Sequence, residues 1–352
     1  MQKIIGFGFL VVLVAVLVAV AGWQRGISSP MVTPEPSPLV TLEPDLKKHN
    51  IPVVAAQIEG IEAPRVEPMR LMADVAALAG ERYEEEERQL ARKYIISQLR
   101  SAGWEPQQQE FEEGMNIYAD RPGADPQAGA ILVGAHYDTV ALSPGADDNA
   151  TGVAAVLEIA RLLGKQETAR GLRVAFFDSE EVGLFGSMEF AATPELTQDL
   201  RGVIIADMLG YACHTAGCQS YPVGIPAFSD KGDFLAAIGD TEHLPLLQAF
   251  QGEFPGTPPV FSLPVPFKGM LAPDTMRSDH APFWYQNMGA VLLTDTANFR
   301  NPHYHEPTDI TTSLDRPFFF GAVQLMVNGT TALLGSTESL VTPELPPTMP
   351  VN

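Results

Sequence analysis

The 352-residue chain is long enough for one large domain or two ordinary ones with a sizeable core. Its 22 Lys and Arg stand against 43 Asp and Glu, a net charge of −21 that argues against nucleic acid and anionic membrane surfaces as partners. Hydrophobic residues at 45% and charged residues at 18% are ordinary for a globular protein.

Residues 4–23 contain no charged side chain and are flanked by Lys3 and Arg25. That length spans a bilayer as a helix, while Ala19-Val20-Ala21 offers a small-x-small cleavage site. Residues 1–26 are therefore a retained single-span membrane anchor or a cleaved signal peptide. Both place the rest of the chain outside the cytoplasm, tethered in the periplasm or extracellular space, or secreted. No later segment reads as long and apolar enough to span. Residues 27–62 form a spacer with six prolines between 27 and 53. Residues 63–338 read as the folded domain and 339–352 as a proline-rich tail.

Within the domain, helices are predicted at 67–79 and 83–102, the latter from Ala91, Tyr94, Ile95, Leu99 and Ala102 at helical spacing. The acidic run 84–87 suits that helix's positive end. Strands follow at 107–111, 116–119 and 130–135, then a helix at 153–163. A strand at 172–177, a helix at 186–192 and a strand at 203–206 continue the alternation. Residues 209–230 and 252–277 read as long loops, 290–294 as a last central strand and 316–334 as a closing helix. This is an α/β pattern, a mostly parallel central sheet with helices on both faces. No internal repeat is present. The sequons at Asn149 and Asn328 are chance, one in a loop proposed for metal and one in a helix. Cys213 and Cys218, the only cysteines, suit a small disulfide in an exported protein. A free pair, or a metal site with His214, is the alternative.

Chemistry collects at strand ends. The strand 130–135 runs into His136 and Asp138, 172–177 into Asp178-Ser179-Glu180-Glu181, and 203–206 into Asp207; His303-Tyr304-His305-Glu306 follows the last strand. Carboxyl ends of neighbouring parallel strands lie side by side, where open α/β sheets carry their sites. A lone Asp there is usually a turn former, a lone His a core or surface residue, and a Glu pair surface charge. Their joint occurrence at successive strand ends is what points to a site. Carboxylates that converge cannot all stay ionised without a cation, and histidines with carboxylates suit zinc, singly or in pairs.

At these residues the chain resembles the peptidase family 28 zinc metallopeptidases, the group of bacterial leucyl aminopeptidases and glutaminyl cyclases. The resemblance covers roughly 70–335. It rests on His136-Tyr137-Asp138, on Pro144-Gly145-Ala146-Asp147-Asp148-Asn149-Ala150-Thr151-Gly152, on Asp178-Ser179-Glu180-Glu181-Val182-Gly183-Leu184-Phe185-Gly186-Ser187, on Asp207-Met208, on Ser278-Asp279-His280 and on Asn301-Pro302-His303-Tyr304-His305. It implies a zinc aminopeptidase-like fold with two zinc ions. His136 and Asp207 would hold one, Glu181 and His305 the other, and Asp148 would bridge them. Glu180 would be the general base, taking a proton from the attacking water and passing it to the leaving amine, and Asp138 would orient His136. Asp147 and His303 would be neighbours rather than ligands.

The implied activity is an aminopeptidase acting on N-terminal residues of peptides. The cyclases carry tryptophan where this chain has Tyr304, and the intact loop 145–152 suits the two-metal peptidases. A cyclotransferase, a carboxypeptidase or a dipeptidase of the same fold is the alternative. A receptor-like ectodomain with its ligands lost is the competing class, against which all five ligand positions and the base are present. Met208, Tyr211 and Phe283 are candidate walls of the substrate pocket by position.

Overall fold

The computed structural model describes residues 62–252 and 254–343. The apolar segment 4–23, all but the end of the spacer, and residues 344–352 of the tail lie outside the described residues. Strands β1 (Gln107–Phe111), β2 (Gly114–Arg121), β3 (Ala130–His136), β4 (Gly171–Phe177), β5 (Leu200–Ala206), β6 (Leu235–Asp240), β7 (Val260–Val265) and β8 (Ala290–Thr294) form one sheet in the order β1-β2-β4-β3-β5-β8-β6-β7. Its middle, β4-β3-β5-β8, is parallel throughout.

The flanks depart from that pattern. Phe111 pairs with Gly114 across a two-residue turn, and so short a turn joins only antiparallel strands. Strand β2 is antiparallel to β4, and β6 is antiparallel to β8. The expectation of one loop over 252–277 is corrected, because that stretch contains β7. Its prolines signal a loop, yet an edge strand tolerates Pro264 because only one of its sides is paired. Strand β6 and the short helix His280–Tyr285 were likewise not read from the sequence.

Side chains of β3 alternate between two cores. Ile131, Val133 and Ala135 pack with the helices Gly152–Leu163 and Arg316–Gly335, while Ala130 and Leu132 join Phe177, Phe190 and Phe283 on the other face. Each such Ile, Leu or Val taken out of water contributes about 1.5–3 kcal/mol. Gly134 leaves room for a neighbouring ring, since a Cβ there would lie 2.7 Å from Phe177. The helix Arg316–Gly335 is long and apolar enough to cross a membrane, which corrects the expectation that no later segment is. It is mostly buried in this fold and serves as a core helix.

Arg82 locks the chain after β3. It is 3% exposed. It donates to the carbonyls of Tyr137 (2.7 Å), Gly80 (2.7 Å), Pro144 (3.0 Å), Gly145 (2.9 Å) and Leu78. Three of these carbonyls, of Tyr137, Pro144 and Gly145, belong to the loop that carries His136 toward Asp148, and the other two tie that loop to the end of the helix Pro68–Leu78. Arg82→Met would strip several buried carbonyls of their donor, at about 1–3 kcal/mol for each one left unpaired. We expect a clearly lower urea midpoint for unfolding; an unchanged midpoint would rule out the clamp.

Candidate metal centre

Strands β4, β3 and β5 are neighbours, so their carboxyl ends deliver Glu180 and Glu181, His136, and Asp207 to one place. Asp148 arrives on the loop after β3 and His305 on the loop after β8. Asp148 sits between the two histidines. Its Oδ1 lies 3.3 Å from His136 Nε2 and its Oδ2 3.3 Å from His305 Nε2. Asp207 Oδ1 is 3.5 Å from His136 Nε2, and Glu181 Oε2 is 3.1 Å from His305 Nε2. Ligand atoms of His136, Glu180 and Asp207 form one compact group, and those of His136, Asp148 and Glu181 another. By distance, Glu180 groups with the candidate ligands His136 and Asp207.

The other sequence candidates separate cleanly. His303 faces away, its Nδ1 2.8 Å from Thr308 Oγ1. Asp147 accepts the Gly210 amide and the Asn301 side-chain amide, each at 2.8 Å. Asp178 pairs with Arg92 at 3.1 Å and accepts the Tyr137 hydroxyl at 2.6 Å. Asn149 is fully buried and bonded to Ala206 and Met208, which removes it as a glycan acceptor.

Asp138 does more than the sequence suggests. Its Oδ1 is 3.5 Å from His136 Nδ1. Its two oxygens also accept the amides of Glu180 at 3.1 Å and Glu181 at 3.2 Å, which sets the turn carrying both glutamates. Ser179, Met208 and His305 have φ of 58°, 57° and 61°. The left-handed region is costly for side-chain-bearing residues and persists where surrounding structure over-determines it. These three flank or are candidate ligands.

Burial and proximity shift Glu180, Glu181, His136, His305 and Asp148. Burial pushes the Glu180 carboxyl well above the carboxylate range, with Asp207, Asp279 and Glu181 adding to it against His136. Burial raises Glu181 to about 7, and Asp148 contributes. For His136, burial works downward, but Glu180, Asp138, Asp148 and Asp207 outweigh it and hold the imidazole well above its ordinary value. His305 rises against its own burial to about 10 through Asp148 and Glu181. Asp148 falls below its usual range despite burial, because both imidazoles lie 3.3 Å from its oxygens.

This chain matches the model of Peptidase family M28 over residues 116–255. It is 33% identical over 240 residues to the uncharacterized protein YfbL of Escherichia coli K12, covering 63% of this chain and 71% of that protein. The chain belongs to peptidase family M28. As an M28 chain it is a metallopeptidase. It is also 36% identical over 100 residues to an aminopeptidase of Pseudomonas aeruginosa, a stretch that is 28% of this chain and 18% of that enzyme. The solved aminopeptidase from Aneurinibacillus sp. strain AM-1 shares the fold, with a TM-score of 0.60 at 16% identity over 80% of this chain and 97% of that one.

The residues present fit a metal. Among the described residues, Glu181 Oε1 and His305 Nε2 are buried with no hydrogen-bond partner. Imidazole nitrogen with carboxylate oxygen is a zinc-type donor set. Asp279 is fully buried beside the cluster and neither of its oxygens has a partner.

A cavity of about 860 Å³, its open mouth included, is lined by Glu180 and Asp207 together with Met208, Ile225, Ile238, Phe261 and Leu263. Of the three candidate wall residues only Met208 borders it. Phe283 is core, with ring centroids 6.2 Å from Phe177 and 6.4 Å from Phe190. Tyr211 packs edge-on against His303 at 5.9 Å. The apolar walls were illegible in sequence because β6, β7 and the loop 219–225 supply them from distant positions.

Cys213 and Cys218 are bonded to each other, so neither offers a thiolate to a metal. Cys213 also pairs its backbone with Gly232. The chain leaving this loop, Gln219-Ser220-Tyr221-Pro222, lines the cavity. Reduction of the disulfide should therefore raise KM several-fold while metal content stays unchanged. Loss of zinc on reduction would contradict that placement.

Proposed function

We propose that this chain is a di-zinc exopeptidase acting as an aminopeptidase on peptides. The observation that carries the reading is Asp148, whose two carboxylate oxygens each face a different histidine. His136 and Asp207 would hold one ion, Glu181 and His305 the other, with Asp148 between them. Bound zinc polarises a scissile carbonyl and lowers the pKa of a water. Glu180 takes the proton of the attacking water and returns it to the amine that leaves as the C–N bond breaks. Its burial suits this, since a raised carboxyl pKa lies nearer working pH. Asp138 keeps Glu180 in place through the backbone.

The apolar walls beside Glu180 and Asp207 favour a large apolar side chain on the residue whose carbonyl is attacked. The Cys213–Cys218 bond supports a site of action outside the cytoplasm, where disulfides persist. Attachment to a membrane would come through residues 1–26.

One observation favours a second reading. Arg277 lines the cavity, donating to Asn298 at 3.0 Å and Tyr304 at 3.2 Å. A cation there suits a C-terminal carboxylate, as in a carboxypeptidase or dipeptidase. A panel of peptides with free, acetylated, amidated and glutaminyl termini separates the readings. The aminopeptidase loses activity on N-acetylation and is indifferent to C-terminal amidation; the opposite pattern sinks it, and cyclisation of the glutaminyl peptide would reassign the chain to cyclase activity.

Glu180→Gln should retain close to two zinc ions per chain by metal analysis and lose about 10²–10⁴-fold in kcat. Full activity in that variant would remove Glu180 as the base.

A further inference from the structure

Asp309, four residues beyond His305, has no part in the roles above. It is fully buried. Its Oδ1 accepts the Asp147 amide at 2.9 Å and its Oδ2 accepts the Asp148 amide at 3.0 Å, with a second Asp147 contact at 3.2 Å. Its main-chain carbonyl accepts the Ala146 amide at 3.2 Å, and its own amide donates to Glu306 at 3.0 Å. One residue thus gathers three successive amides of the loop carrying Asp148 while belonging to the turn that carries His305.

Asp148 needs such a holder. Its φ of −105° and ψ of 89° are not helical, so no helical ladder accepts its amide. Asp147 is 0% and Asp148 4% exposed, so amides released there would meet no bulk water. A carboxylate meets the need because it carries two acceptor oxygens. An asparagine has one, and its NH₂ would face a donor.

We propose that Asp309 is a positioning residue of the metal centre, holding Asp148 at the height where its two oxygens meet His136 and His305 and coupling the two ligand-bearing loops. The inference rests on the reading of Asp148 as a metal ligand. Asp309 touches neither metal nor substrate; it acts through the backbone of Asp148. Residues that orient ligands typically govern metal affinity by 10–100-fold.

The test is zinc affinity of the full-length ion-free protein, measured by competition with a chromogenic chelator, together with its thermal midpoint before zinc is added. Asp309→Asn is expected to bind zinc about 10–100-fold more weakly. Asp309→Glu, which keeps both acceptor oxygens on a longer stem, should fall between Asn and the native residue; it also serves as the test protein if the Asn variant does not fold. Unchanged zinc affinity in these variants overturns the proposal, whatever happens to the midpoint, because a merely structural Asp309 would move the midpoint alone. Asp148→Asn runs beside them. If it keeps native zinc affinity, the ligand reading fails; if it loses affinity while the Asp309 variants do not, only the Asp309 inference fails.

Discussion

The constraint on which this structure depends is the burial of like charge. Asp138, Asp148, Glu180, Glu181 and Asp207 meet at the ends of three adjacent strands, three of them buried and all within reach of His136 or its partners. Taken alone the group is unfavourable, because carboxylates out of water and beside one another resist ionisation. The raised Glu180 and Glu181 and the raised His136 record that conflict. Positive charge relieves it, and Glu181 Oε1 and His305 Nε2 remain unpaired within the cluster.

The apolar scaffold exists to hold this arrangement still. A parallel sheet buried on both faces places β4, β3 and β5 side by side with no freedom to slip, since a slip of one residue would turn core side chains toward the wrong layer. The loops beyond the strands are then pinned by polar contacts of their own. Arg82 gathers carbonyls of the loop after β3, and Asp138 gathers amides of the loop after β4. Left-handed Ser179 and Met208 sit in pinned segments, since Asp138 holds the Glu180 amide beside Ser179 and Asn149 accepts the Met208 amide at 3.1 Å.

The cavity wall is built by different parts. The groups of the candidate centre come from the parallel centre of the sheet, whereas the apolar cavity wall comes from β6, β7 and the segment after the disulfide loop. Changes in these flanks can reshape the pocket without touching a strand end that carries a charge.

The residues of the candidate centre, and the parallel core that unites them, were legible in the sequence. An apolar run that ends in His or Asp is a local pattern, and side-by-side parallel strands bring such endings together. Even His305 could be told from His303 by resemblance, and the structure puts only His305 beside Asp148. The flanks were less legible because their signals conflict: Pro264 in β7 reads as a breaker, and a two-residue turn reverses β1 against β2. Phe283 and Tyr211 fell outside the cavity because nearness in sequence to a site does not decide which way a side chain faces. What the sequence by itself determined was the inventory of charge at strand ends. Which groups pair, which amides Asp138 and Asp309 collect and which walls close the pocket were decided only by tertiary structure, because those contacts join segments far apart in the chain and no local periodicity encodes them.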